Sequence, residues 1–295
     1  MLLVTGITGH SGRYFLQELI ENKYEGTIRC IVRGTSDTSM LDNSGLRSEK
    51  VVGSLEDQEF VNRAMIGVDT VMHIYNIHHS PMIVKAAIKN NVKRAILVHT
   101  TGIYSKFKNA SQEYKDIEMK IIKIAKNSSC KTCINMLRPT MIYGDLCDHN
   151  MSKFIKVVDK LPIIPVIDNG NSLLQPVNAR DLGKAYYAVL KSPVKNMELK
   201  DYDLSGEKPI KMIDVLKLIS HELNKKTVFV NIPMGLGVFI ARVLKAVTLG
   251  KFDVVEKVQR MGENRSYSHE HAMNDFGYKP MSFEEGIKIE VKEYL

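Results

Sequence analysis

Three glycines at three-residue spacing, Gly6, Gly9 and Gly12, stand between an apolar run, Leu2 to Val4, and a helix-period stretch. That stretch begins near Ser11 and continues through Phe15, Leu16, Leu19 and Ile20. Glycine at these points does three separate jobs in a turn that receives a dinucleotide. Gly6 permits a tight reversal, Gly9 lets the backbone approach a pyrophosphate, and Gly12 lets the helix lie close on the sheet. The free N–H groups and the positive dipole end of the helix then face the phosphates. Thr8, His10 and Ser11 complete the loop as cofactor-binding candidates. At the end of the second strand, Thr27 to Arg33, an acidic residue would bind the ribose 2′-hydroxyl of NAD. This chain has Arg33 there, followed by Gly34, Thr35 and Ser36. A guanidinium cannot accept from hydroxyls but pairs well with a 2′-phosphate, and Arg13 is placed to reach the same phosphate. The expected cofactor is NADP, with NAD left open.

The elements that must hold this turn alternate along the chain. Lys50 to Leu55 reads as a third strand with a helix from Glu56 to Ile66. Val68 to Ile74 reads as a fourth strand, adjacent to the phosphate turn. Ser80-Pro81 predicts a cap and first turn for a helix over Met82 to Asn91. Arg94 to Thr100 is the fifth strand; Ser111 is expected to cap a helix through Ala125, and Thr132 to Leu137 is the sixth strand. Strand and helix in regular alternation predict an α/β fold, a Rossmann-type doubly wound parallel sheet. Residues 1–145 are expected to form the dinucleotide domain. Residues 146–295 would form a smaller, mostly helical C-terminal substrate lobe, with about 172–205 returning to the sheet. In this second part Ser152 to Asp159 reads as a helix before the Pro-rich stretch Leu161 to Pro165. Asp181 is expected to cap a helix to Leu190. Later come a strand at Tyr202–Leu204, a helix Ile210–Leu223 and a strand Thr227–Val230. The last helix opens with the capping box Ser282-Phe-Glu-Glu285. A lobe over the carboxyl ends of the strands makes a cleft for a small-molecule substrate.

Composition narrows the classes. Hydrophobic residues are 44 % and charged residues 25 % of 295, the balance of an ordinary globular protein. The formal charge is +8, from 19 Lys and Arg against 14 Asp and Glu in residues 1–145 and 22 against 19 in residues 146–295. That even spread lacks the dense basic patch of a nucleic-acid binder, and attraction for an anionic ligand is the reading kept. The longest apolar stretch, Ile232 to Gly250, is interrupted by Arg242 and Lys245. It predicts an amphipathic helix packed on the protein, with no membrane partner. A first strand that starts at residue 2 leaves no room for a signal peptide, so a cytoplasmic location is expected. Cys130 and Cys133 have redox-motif spacing but sit at a strand start, and the four cysteines are read as incidental thiols. His73, His78 and His79 lack a carboxylate at metal-ligand spacing, so no metal is expected.

Four stretches resemble the extended or atypical short-chain dehydrogenase/reductases, the NAD(P)-dependent nucleotide-sugar epimerases and dehydratases. They are Thr5 to Gly12, Gly67 to His73, Leu137-Arg-Pro-Thr-Met-Ile-Tyr-Gly144 and Gln175-Pro-Val-Asn-Ala-Arg-Asp181. The ending Phe276 to Pro280 with Ser282 to Gly286 is similar too, so the resemblance spans nearly the whole length. It implies a Tyr that exchanges a proton with a substrate hydroxyl as hydride moves at the same carbon. A Lys four residues on would lower that phenol's pKa, and a Ser or Thr would hold the reacting oxygen. Thr100 and Tyr114 occupy the matching positions and are the catalytic candidates. The resemblance also implies that Ser54, in place of the usual Asp, and Leu55 border adenine. Pro139 and Thr140 would border the nicotinamide, and Arg260 would hold a nucleotide-sugar diphosphate as substrate-binding residue. A homodimer is possible by the same analogy.

Glu118, not Lys, stands four residues after Tyr114. A carboxylate one turn away would oppose phenolate formation, so Glu118→Lys is expected to increase activity. Tyr104 and Lys108 have the Tyr-x-x-x-Lys spacing but in a loop, where the spacing has meaning only if the loop is helical. Two functions follow. One is an epimerase- or dehydratase-like oxidoreductase acting on a nucleotide-sugar or related hydroxyl or carbonyl compound. The other is a non-catalytic NADP(H)-binding sensor or structural subunit.

Overall fold

The structure is a computed structural model and describes residues 1–126, 131–194, 199–248, 251 and 253–295. The first half alternates as the periodicity requires. It runs β1 (Leu2–Thr5), α1 (His10–Glu21), β2 (Ile28–Val32), a short α2 (Ser39–Asp42), β3 (Ser48–Val52), α3 (Gln58–Ala64) and β4 (Thr70–His73). It continues with α4 (Ser80–Lys89), β5 (Arg94–Val98), α5 (Lys108–Lys126) and β6 (Cys133–Pro139). The second half holds β7 (Ile142–Tyr143), α6 (Met151–Lys160), β8 (Ile163–Ile167), β9 (Leu173–Leu174), β10 (Val177–Asn178) and α7 (Ala179–Lys191). After these come β11 (Leu199–Leu204), β12 (Ile210–Lys211), α8 (Met212–Glu222), β13 (Val228–Ile232) and α9 (Met234–Val247). The chain ends with α10 (Val255–Arg260), α11 (Glu270–Phe276) and α12 (Phe283–Tyr294).

Seven strands form one sheet in the order β11-β6-β5-β4-β1-β2-β3, every pair parallel. Alternation on β1 sends Leu2 and Val4 to a core shared with Phe15, Leu16 and Leu19 of α1 and Leu182, Tyr186 and Val189 of α7. Leu3 faces the opposite core, with Val61 of α3, Ile83 and Val84 of α4, and Ile117 and Ile121 of α5. Both faces of the sheet are covered, which is why inner strands such as β1 and β5 are buried and mostly apolar, whereas the edge strands β3 and β11 carry charged residues. The chain leaves β1 to one side for β2 and crosses to the other for β4. The resulting crevice at the carboxyl ends is where doubly wound sheets receive ligands. A third apolar cluster joins Met151 and Ile155 of α6, Ile164 and Val166 of β8, Val215 and Ile219 of α8, and Ile287 and Val291 of α12.

Several expected caps belong to other residues. Ser80 lies inside α4, buried, with His79 at the N-cap. Ser111 is within α5 and donates back to the Phe107 carbonyl at 3.2 Å. Asp181 sits in the first turn of α7, where Asn178 is the cap; its carboxylate accepts instead from the Met281 N–H at 2.8 Å. A single-sequence pattern marks a helix start to within a turn, and the buried neighbour decides which polar residue closes it. The Ser282–Glu285 capping box is present in full. Leu161 to Pro165 overlaps the edge strand β8, which pairs in parallel with β13. Cys130 lies outside the described residues; Cys133 and Cys30 are buried, and burial pushes the Cys30 thiol up to about 12.

The stretch from Ile232 departs from its expected packing. Its helix, α9, buries only Gly237 and Ala241 and turns its large apolar side chains outward. No helix among the described residues is long and apolar enough to cross a membrane.

Candidate active site

The glycine turn opens one wall of a cleft of about 510 Å³ lined by Thr5, Gly6, Thr8, Gly9, Arg33, Ser36, Ser54 and Leu55. Gly6 has φ +79°, a left-handed conformation that favours glycine, and a Cβ there would come within 2.8 Å of the Tyr75 nitrogen. A Cβ on Gly12 would lie 2.0 Å from the Gly6 carbonyl oxygen, so its absence is what lets α1 start against the turn. Gly9 is the N-cap of α1 and offers no side-chain acceptor. The first N–H groups of the helix are therefore open to a ligand's oxygens. The Arg33 guanidinium stands 5.8 Å over the Tyr75 ring, and the backbone N–H of Arg33 donates to the Ser36 hydroxyl at 3.1 Å. Arg33 and Ser36 both line this part of the cleft. A glycine cradle, an uncapped helix start and a cation at the second strand fit an adenine dinucleotide.

Not every candidate lines this cleft. The Arg13 guanidinium binds Asp145 at 2.6 Å and stands apart from Arg33. Ser11 is buried with its hydroxyl 3.4 Å from that of Tyr186. Pro139 is buried in β6, and its carbonyl accepts from the Thr101 hydroxyl at 3.3 Å.

A second cleft of about 690 Å³ gathers His10, Thr100, Tyr114, Thr140, Asp148, Arg260 and Arg265. Thr100, just past β5, accepts from the Gly102 N–H at 3.0 Å. A methyl group on Gly102 would reach 3.0 Å from the Tyr114 ring and 3.3 Å from the Thr100 hydroxyl oxygen, so the two side chains flank one point of the backbone. Arg260 and Arg265 each keep a buried Nε without a hydrogen-bond partner among the described residues. Burial and the neighbouring Arg260 both lower the pKa of Arg265. Two guanidiniums held together with donors unused are suited to an anion.

Glu118 corrects the sequence-based electrostatics. Its side chain turns into the protein, where Arg138 of β6 grips it with Nε at 2.9 Å and Nη2 at 2.7 Å. His99 Nδ1 stands 3.0 Å from the same carboxylate, and His99 Nε2 lies 3.1 Å from the Ser80 hydroxyl. Burial resists ionisation, but the bonds from His99 and Arg138 outweigh it and hold Glu118 down at about 2. Burial also lowers His99. The carboxylate is neutralised by Arg138 rather than directed at Tyr114. A Lys at this position would face Arg138 in a buried site, so the expected gain from Glu118→Lys is replaced by an expected loss of stability. Tyr104 ends a 3-10 turn, Thr101–Tyr104, and its hydroxyl is engaged by Arg138 at 2.8 Å and Asp203 at 3.1 Å. It therefore belongs to this network and not to the cleft.

Sequence reasoning passed over two carboxylates. Asp145 receives Arg13, the Tyr14 hydroxyl at 2.9 Å and His10 Nε2 at 2.9 Å, tying the start of α1 to the segment after β7. Asp148 lines the second cleft and is backed by Glu290 of α12, whose Oε2 accepts from the Gly144 N–H at 3.0 Å. As a carboxylate, Glu290 would leave Oε1 with no donor facing it; as the neutral acid it donates to Asp148. Asp145 directly follows the Leu137–Gly144 stretch without belonging to it, and Asp148 had no motif around it. His73 is a core histidine bound to Thr5 at 2.6 Å and to the Asn76 carbonyl at 2.9 Å, and burial pushes it down to about 3. His78 pairs with Glu113 at 3.2 Å. Among the described residues no group of three or more His, Cys, Asp or Glu is arranged to hold a metal ion.

Comparison with known proteins agrees with this geometry. Residues 6–134 match the NAD(P)H-binding family. No curated protein matches the sequence. The solved structure of gox2253 superposes with a TM-score of 0.80 at 18 % identity, over 100 % of this chain and 97 % of that one. UDP-glucose 4-epimerase of Thermotoga maritima, solved with UDP-glucose, gives 0.70 at 17 % identity, covering 99 % and 98 %. Triphenylmethane reductase of Citrobacter sp. gives 0.72 at 19 % identity, covering 99 % of each chain. Residues 6–134 thus match an NAD(P)H-binding family, and along its whole length the chain shares the fold of these solved structures, an epimerase and a reductase among them.

Proposed function

We propose that the protein is an NADP(H)-dependent oxidoreductase that acts on a hydroxyl or carbonyl group of an anionic substrate, with nucleotide-sugars the class favoured. The observation that carries this reading is the meeting of Thr100 and Tyr114 in the second cleft, beside the crevice that fits the dinucleotide. A bound nicotinamide would supply or take up the hydride. Gly6, Thr8 and Gly9 would hold the pyrophosphate against α1, and Arg33 with Ser36 would take the 2′-phosphate. Thr100 would hold the reacting oxygen. Tyr114 would donate its phenolic proton to that oxygen in the reducing direction and recover it in the other. Arg260 and Arg265 would bind paired phosphate oxygens of the substrate, a role consistent with the UDP-glucose seen in the Thermotoga epimerase. The fold also serves a reductase of triphenylmethane dyes, so the arginine pair, and not the fold, favours a phosphorylated substrate.

Fluorescence titration tests the cofactor. NADPH should bind more tightly than NADH, and Arg33→Ala should remove that preference with little effect on NADH. Hydride transfer with a panel of sugar nucleotides and carbonyl compounds tests the chemistry. Tyr114→Phe should lower kcat by about 100-fold or more while KM stays nearly constant. Tight NADPH binding with no turnover of any panel member would favour the second reading, a cofactor-binding sensor or structural subunit. The buried engagement of Glu118, where a catalytic Lys would stand, is the feature that speaks for it.

A further inference from the structure

The outward face of α9 carries an exposed apolar stripe. Leu236, Phe239, Ile240, Val243, Leu244 and Val247 follow the i, i+3, i+4, i+7, i+8, i+11 pattern of one helical stripe, and all six are exposed, Phe239 to 62 % and Val247 to 77 %. No charged residue interrupts the stripe. The helix packs inward through its small residues instead: a Cβ on Gly237 would come within 2.8 Å of Ile167 Cδ1, and Ala241 is buried. The paired strands β8 and β13, the second of which leads into α9, also expose Ile163, Val228 and Val230, each near half or more. The six helical side chains alone present on the order of 600 Å² of apolar surface, at the upper limit for the largest patch of an ordinary monomer.

Charge in the segment that carries the stripe bears on what covers it. Between residues 225 and 260 the acids are Asp253 and Glu256, against six lysines and arginines outside the cleft. Asp253 is taken by Lys245 at 2.6 Å, and Glu256 accepts from Asn109 at 2.6 Å. Lys226, Arg242 and Lys257 are exposed and make no ion pair among the described residues. A two-fold contact between copies through this segment would bring its excess of unpaired cations toward an equal excess. An anionic lipid surface offers the opposite charge and an apolar layer for the stripe in one partner.

We propose that α9 is an interfacial docking helix, which lays its outer face into the headgroup region of an anionic phospholipid bilayer without crossing it. The inference is independent of the reaction proposed above. Co-sedimentation with phosphatidylcholine vesicles, with and without phosphatidylglycerol, tests it on the whole chain. The protein should pellet with the anionic vesicles at low salt, and less so at high salt or with phosphatidylcholine alone. The double variant Phe239→Glu, Val243→Glu should reduce partitioning by about tenfold or more, because two carboxylates oppose both the apolar and the charge term. Both sites are exposed, and an unchanged melting temperature confirms the variant's fold. Failure of the native protein to bind anionic vesicles overturns the proposal, as does equal binding by the double variant. Dimerisation that the double variant abolishes, without vesicle binding, assigns the face to a second copy and also overturns it.

Discussion

Glu118 shows how one side chain's direction changes its meaning. Its carboxylate closes a buried array with Arg138, His99 and Ser80, and Arg138 extends that array to Tyr104, Asp201 and Asp203. Removing one partner of a buried ion pair leaves the other charge uncompensated, at a cost of about 3–5 kcal/mol. Glu118→Ala should therefore destabilise the protein by about 3 kcal/mol, the lower figure because Asp201 still faces Arg138. Urea denaturation at neutral pH measures it. The pH dependence carries the matching sign. Glu118 titrates lower in the folded chain, at about 2, than its ordinary 4.5. Its stabilisation is complete above pH 4.5 and drains away as pH falls toward 2, and the Ala variant should lack that part of the acid transition.

At the scale of elements, the β1–α1 junction separates two uses of glycine that look alike in the sequence. A Cβ at Gly12 meets the Gly6 carbonyl at 2.0 Å, whereas a Cβ at Gly9 meets only that same oxygen, at 3.2 Å. Gly12→Ala should consequently push α1 off the turn and lower both the melting temperature and NADPH affinity. Gly9→Ala should leave the melting temperature nearly unchanged yet weaken NADPH binding by about tenfold or more, since its methyl group would enter the space proposed for the pyrophosphate. Thermal unfolding and fluorescence titration of the two variants side by side check the distinction. Equal effects on stability would mean that Gly9 is a packing residue as well. The cap assignments belong to this scale also. Asn178, not Asp181, closes α7, which frees the Asp181 carboxylate to receive the C-terminal segment at Met281.

Across the whole molecule, the last helix reaches back to the cleft. Burial, then the hydrogen bond and charge of Asp148, push Glu290 up to about 10 from 4.5. The folded chain therefore holds a proton that the unfolded chain releases. This contribution is complete below pH 4.5 and erodes as pH rises toward 10, by up to about 1.4 kcal/mol per pH unit. Glu290→Gln preserves the acceptor for Gly144 and the donor for Asp148 without a titrating proton. It should raise the melting temperature at pH 8 by roughly 5 °C or more while leaving it unchanged at pH 5. A second long-range tie runs from Glu263, between α10 and α11, to the Ser105 hydroxyl at 3.0 Å and the Lys106 N–H at 2.7 Å. Through it the segment carrying Arg260 and Arg265 is joined to the loop that follows Thr100.

What the chain's order of residues determined by itself was local in origin. The glycine spacing, the cation after β2, the alternation of strand and helix and the Ser282 capping box all depend on neighbours within a few positions, so they are visible without a fold. The tertiary structure decided the rest because the deciding partners come from elsewhere in the chain. Arg138, twenty residues on, turns Glu118 away from Tyr114; Asp145 claims Arg13; burial, with Asp148 beside it, keeps Glu290 protonated. Periodicity could show that residues near 240 form an amphipathic helix, but a stripe of apolar residues has no inherent inside. Only the packing of Gly237 and Ala241 against the body of the protein fixed which face of α9 meets the outside.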